Sequence, residues 1–128
     1  MKLRRTSPDP VVAALEAAGL SRGDAQRLST SGTSLTMAAG TPLCFEGDVG
    51  LEAFVLVSGE AVVRLPESTD RTVAVGEVIG EIAVLDPTRR RTATVETTED
   101  SVVLVFDVRT FRFLAQDMSD VLAPERAA

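Results

Sequence analysis

Between residues 33 and 107 the chain breaks into short β-rich runs, each closed by a turn signal, and this spacing leaves few folds open. Residues 34–38 stop at Gly40, 42–45 at Glu46-Gly47-Asp48, and 53–57 at the tight-turn pair Ser58-Gly59. Residues 60–65 run into Pro66-Glu67-Ser68-Thr69-Asp70, and 71–75 into Gly76. Residues 92–97 and 102–106 flank Glu99-Asp100. Many short strands at even spacing make an all-β sandwich or barrel. Alternation within 60–65 puts Ala61, Val63 and Leu65 on one side, facing inward.

Helices bracket the strands. Asp9 is placed to cap a helix with Pro10 in its first turn. Val11 or Val12, Leu15 and Ala18 share a face, and Gly19 ends it. Ser21 caps a second helix, with Asp24 three residues on and Ala25 and Leu28 as its apolar positions. After the strands, Asp107 caps a helix in which Phe111, Leu114, Ala115 and Met118 stand at helical spacing. Pro124 cuts the chain off after Val121-Leu122. The layout is mainly β: one domain over residues 9–122, a disordered lead over 1–8 and a tail over 123–128. Arg4-Arg5-Thr6-Ser7 has the make-up of a basic-directed phosphorylation site, but reads more simply as solvated tail.

Composition removes several functional classes. The sequence has no histidine, tyrosine or tryptophan and one cysteine, Cys44. The usual zinc and non-haem iron sites cannot be assembled, and neither can a histidine triad. No metal is expected. A carboxylate enzyme on a jelly-roll scaffold stays conceivable, although the missing histidines tell against it. The net charge of −6 disfavours a polyanion, so no direct DNA binding is expected. No stretch is apolar for long enough to span a bilayer, and MKLRRTSPDP makes a poor signal peptide. These features indicate a soluble, cytoplasmic protein. Cys44 reads as a buried strand residue and the five phenylalanines as core.

The stretch VIGEIAVLDPTRRRTATV, residues 78–95, carries the chemistry. Gly80 lets backbone approach a ligand closely. If residues 80–85 wind into one helical turn, the amides of Ile82 and Ala83 lie at its N-terminal end and favour an anion. An arginine adds a planar fork suited to phosphate. Glu81 would repel a phosphate but accepts from hydroxyls. Phosphate and sugar hydroxyl on one small molecule means a nucleotide.

These residues resemble the phosphate-binding cassette of the cyclic nucleotide-binding domain family. Gly80-Glu81-Ile82-Ala83-Val84-Leu85 is similar to its first half and Arg91-Thr92-Ala93-Thr94-Val95 to its second. Gly40-Thr41-Pro42-Leu43-Cys44-Phe45-Glu46-Gly47-Asp48 and the apolar strand before Ser58-Gly59 resemble further family features. The resemblance runs over residues 10–118. It implies an eight-stranded, jelly-roll-like β-roll with short α-helices before and after. It implies that Gly80 gives close approach and Glu81 accepts from the ribose 2′-hydroxyl. The amides of Ile82 and Ala83, with the Arg91 side chain, would hold the cyclic phosphate. Arg91 is preferred to Arg89 and Arg90 because it precedes the Thr-Ala-Thr-Val half; the other two read as a solvated turn. Thr92 would reach the phosphate or the base, and Val63 would wall the base.

The function implied is a non-catalytic sensor, not an enzyme. It would bind cyclic AMP, with cyclic GMP as second ligand, need no cofactor, and signal to an unidentified protein effector as a monomer or homodimer. The alternative is a degenerate β-roll interaction module that binds no nucleotide. Family members often cover the base from a long final helix. Here the cover is expected from residues 118–122 or a second copy, or the base stays partly exposed.

Overall fold

The computed structural model describes residues 9–67 and 69–122. The expected lead at 1–8 and tail at 123–128, with Arg4-Arg5-Thr6-Ser7 and Pro124, lie outside the described residues. Helix α1 (Pro10–Ala17) starts where Asp9 accepts the Val11 amide at 2.8 Å. Helix α2 (Arg22–Ser31) starts where the Ser21 hydroxyl accepts the Asp24 amide at 3.1 Å. Both caps satisfy amides that the first helical turn leaves without partners.

Eight strands follow: β1 (Thr33–Met37), β2 (Pro42–Cys44), β3 (Glu52–Ser58), β4 (Ala61–Arg64), β5 (Arg71–Val73), β6 (Val78–Ile79), β7 (Thr94–Thr97) and β8 (Ser101–Asp107). They form two antiparallel sheets, ordered β1-β8-β3-β6 and β2-β7-β4-β5. The one-turn helix α3 (Glu81–Leu85) lies between β6 and β7. Helices α4 (Val108–Asp117) and α5 (Ser119–Leu122) close the described chain, with the Asp107 side chain accepting the Thr110 amide at 2.7 Å. This is the β-roll with flanking helices.

Two apolar cores explain why β3 reads as an unbroken hydrophobic run. Ala53, Val55 and Val57 face the helices, together with Leu104 and Phe106 of β8. Phe54 and Leu56 face the second sheet, with Val103, Val63 and Val95. A strand covered on both faces has no polar alternation to show. In β4 the alternation survives: Ala61 and Val63 are buried, Val62 is half-buried and Arg64 exposed.

Three expectations need correction. Phe45 and Phe113 are exposed, at 53% and 61%, so the core takes only Phe54, Phe106 and Phe111. Phe113 stands on the outer side of α4, where the Arg27 guanidinium lies over its ring at 5.9 Å. Ala18 caps α1 from outside the buried face, which consists of Val12 and Leu15. Met118 and Leu122 are not free to cover a ligand. Both are buried in the helix-side core with Leu15, Leu28 and Phe111. Among the described residues no helix is long and apolar enough to cross a membrane.

Candidate functional site

The site is built around the turn from β6 into α3. Gly80 caps α3 with φ +82°, in the left-handed region where side chains are strained. A Cβ there would run into Nη1 of Arg91. The same close approach lets Nη1 of Arg91 donate to the Gly80 carbonyl at 2.9 Å. Nη2 donates to the Glu52 carbonyl at 2.7 Å, so Arg91 ties the start of β3 to the start of α3.

The backbone of Arg91 is held as firmly as its side chain. Its amide donates to the Asp48 carbonyl at 2.8 Å, and its carbonyl accepts from the Gly47 amide at 2.9 Å. Arg90 forms an isolated bridge with Val49 beside it. Arg91 is 7% exposed and, among the described residues, pairs with no carboxylate. Two neutral carbonyls satisfy some of its donors but do not neutralise it. A buried cation without a counter-charge is costly, and an arriving anion removes that cost.

Glu81 presents the opposite demand. It is fully buried, and neither carboxylate oxygen has a hydrogen-bond partner. Burial pushes its pKa up to about 7; its own amide and that of Ile82 pull it down, and so do the Arg71 and Arg91 charges. These amides lie near the carboxyl without bonding it. The amides of Ile82 and Ala83 sit in the first turn of α3, where no helical carbonyl is available to them.

A recess opens at this point. Gly80, Ile82, Ala83, Arg91 and Thr92 line it, so five of the seven residues expected from sequence come together. Thr92 is exposed at its edge. The other two do not line it. The Glu81 carboxyl is enclosed behind the first turn of α3, and Val63 lies in the inter-sheet core, paired with Val95.

Sequence reasoning missed some contributors. Arg90, assigned to a solvated turn, lines the recess, whereas Arg89 does not. Cys44 lines it as well; burial raises the thiol's pKa although the Arg91 charge opposes this. The Glu52 carbonyl gave no sequence signal, because a backbone acceptor does not depend on residue type. Gly47-Asp48 did give one, in the Gly40–Asp48 pattern, but its role of clamping the Arg91 backbone emerges only in three dimensions.

Comparison with known proteins agrees with this fold. The family model described as Cyclic nucleotide-binding domain matches residues 35–118. The Pycsar effector protein XpPycTIR of Xanthomonas perforans is 30% identical over 97 residues, covering 76% of this chain and 32% of that protein. PaPycTIR of Pseudomonas aeruginosa, also a Pycsar effector protein, is 33% identical over 91 residues, covering 71% and 30%. The chain thus spans about a third of the length of the curated relatives it matches. The structure of PKAR CBD2 with Sp-2Cl-cAMPS bound superposes with a TM-score of 0.70 at 24% identity, covering 86% of this chain and 73% of that one. At that identity the likeness speaks for the fold.

Proposed function

The chain belongs to the cyclic nucleotide-binding domain family, and from that premise we propose that it is a non-catalytic cyclic nucleotide sensor. The observation that carries the reading is a pair of unmet demands, one lining the recess and one enclosed behind the first turn of α3. Arg91 is a buried cation without an anion, and Glu81 a buried acceptor without a donor. A cyclic phosphate meets the first and a ribose 2′-hydroxyl the second. The amides of Ile82 and Ala83 add donors for the phosphate, and Gly80 leaves the room.

Both cyclic AMP and cyclic GMP bind, with cyclic AMP the preferred ligand by only a modest margin. Thr92 is exposed at the recess and is the residue through which the base is told apart. Its hydroxyl accepts from the guanine 2-amino group in a syn base, and adenine offers no such donor. Thr92→Ala therefore weakens cyclic GMP more than cyclic AMP. Equal losses would assign Thr92 to the phosphate.

The relatives are named effector proteins, and the sensing part of an effector is the role we carry to this chain. Its output passes to a protein, without contact to DNA, in the cytoplasm. Calorimetric titration with the four cyclic ribonucleotides and their 2′-deoxy analogues tests the reading. Binding of cyclic AMP, weakened by loss of the 2′-hydroxyl, is expected. Absence of heat with every ligand would leave a β-roll interaction module instead.

A further inference from the structure

Residues 28–45 contain no charged side chain, in a chain where charged residues make up 25%. The next longest uncharged stretch, residues 53–59, is mostly β3, which is buried on both faces. The longer stretch has no such excuse. Thr33, Ser34, Leu35 and Thr36 of β1 are all exposed, Leu35 at 42%.

The two sheets leave four edges, and three of them are defended in recognised ways. β6 is only two residues long. β5 begins with Arg71, ion-paired to Glu77 at 3.1 Å. β2 carries Pro42 and a register irregularity between Pro42 and Cys44. β1 is five residues long, pairs in unbroken register with β8, and has neither proline nor charge. Among the described residues, positions 33–37 make no hydrogen bond outside that ladder.

We propose that β1 pairs antiparallel with β1 of a second copy, joining the two β1-β8-β3-β6 sheets across a two-fold axis. Charge favours a second copy as the occupant. Copies with a net charge of −6 repel one another, and the repulsion is least where no charge must be desolvated. A polyanion or a strongly basic partner finds nothing on this edge to pair with. Pairing is also self-complementary, as a two-fold interface must be. Centred on Leu35, it sets Leu35 against Leu35 and Ser34 against Thr36 of the other copy, an apolar pair flanked by hydroxyl pairs. This pairing does not depend on nucleotide binding.

Sedimentation equilibrium of the 128-residue chain over a wide concentration range tests it. The mass is expected to rise from 13.6 kDa towards twice that value. Leu35→Lys and Ser34→Glu, both at exposed positions, are each expected to weaken association by about tenfold or more. Circular dichroism and urea unfolding show whether each variant is folded. Oxidised Leu35→Cys is expected to cross-link into a covalent dimer. A single-chain mass at the highest concentration would overturn the proposal. So would a dimer that persists in both folded variants, since association would then use another face.

Discussion

Arg91 lines the recess and Glu81 is enclosed behind the first turn of α3, and the two do not form an ion pair. That arrangement makes the three arginines separable. Arg91→Ala is expected to weaken cyclic nucleotide binding by about 2–4 kcal/mol, the loss of a desolvated charge-assisted fork. Arg90→Ala is expected to cost about 1 kcal/mol, because an exposed cation at the recess still attracts the phosphate. Arg89→Ala, outside the recess, is expected to change binding by less than about 0.5 kcal/mol. Calorimetry ranks them, and equal losses for all three would remove Arg91 from its role.

Glu81 makes both binding and stability depend on pH. Its pKa rises from 4.5 in the unfolded chain to about 7 in the fold, chiefly through burial. The raised value favours the fold while the carboxyl is protonated, so this contribution is complete below about 4.5 and disappears as pH rises through about 7. The difference is at most about 3 kcal/mol. Glu81→Gln is expected to flatten the urea-unfolding profile across that window. Binding runs the other way. A 2′-hydroxyl donates more strongly to the ionised carboxylate than to the protonated carboxyl, so affinity is expected to fall as pH drops below about 7, and binding near that pH to release protons. Calorimetry in buffers of different ionisation enthalpy counts those protons; a 2′-deoxy ligand should release fewer.

At the level of elements, helix starts were the most legible feature, since Asp9, Ser21 and Asp107 each act through their own side chain. Strand β6 was not legible. Its two residues, Val78 and Ile79, merge in sequence with Gly80 and α3 into one apolar run, and only pairing with Phe54 and Val55 makes them a strand. The cassette was legible as a pattern, although nothing in it says that Glu81 is fully enclosed or that Arg91 grips the Glu52 carbonyl. Phe45 and Phe113 misled because aromatic character does not reveal which face of an element is covered. Gly80 tests the element directly. Gly80→Ala adds backbone strain of about 1–2 kcal/mol and pushes the Arg91 guanidinium aside. Gly40 has a similar φ of +84° but open space around it. Thermal unfolding should show both alanine variants destabilised. Titration should show about a tenfold or greater loss of affinity for Gly80→Ala alone. Equal affinities in the two variants would mean that Gly80 serves the turn and not the ligand.

Across the whole molecule, the recess and the C-terminal helices belong to different layers. Ala93, Val95 and Cys44 border the recess and pack between the sheets. Met118 and Leu122 pack with α1 and α2 on the outer face of the first sheet. The link between the layers is α3 itself, where Arg112 of α4 donates from Nε to the Val84 carbonyl at 3.3 Å. The described end of the chain therefore holds the fold together and does not line the recess. Leu122 is 1% exposed, so Leu122→Ala removes a fully buried side chain and is expected to destabilise by about 2–4 kcal/mol in urea. Because the site lies in the other layer, the affinity of the folded fraction should stay within about twofold of the parent. A roof would give the reverse pattern, with small loss of stability and large loss of affinity, since the apolar area lost would come from the complex. The two measurements on one variant separate these cases. An affinity loss exceeding the stability loss, with both expressed as free energies, would put α5 over the ligand and force a rearrangement of the helical layer on binding.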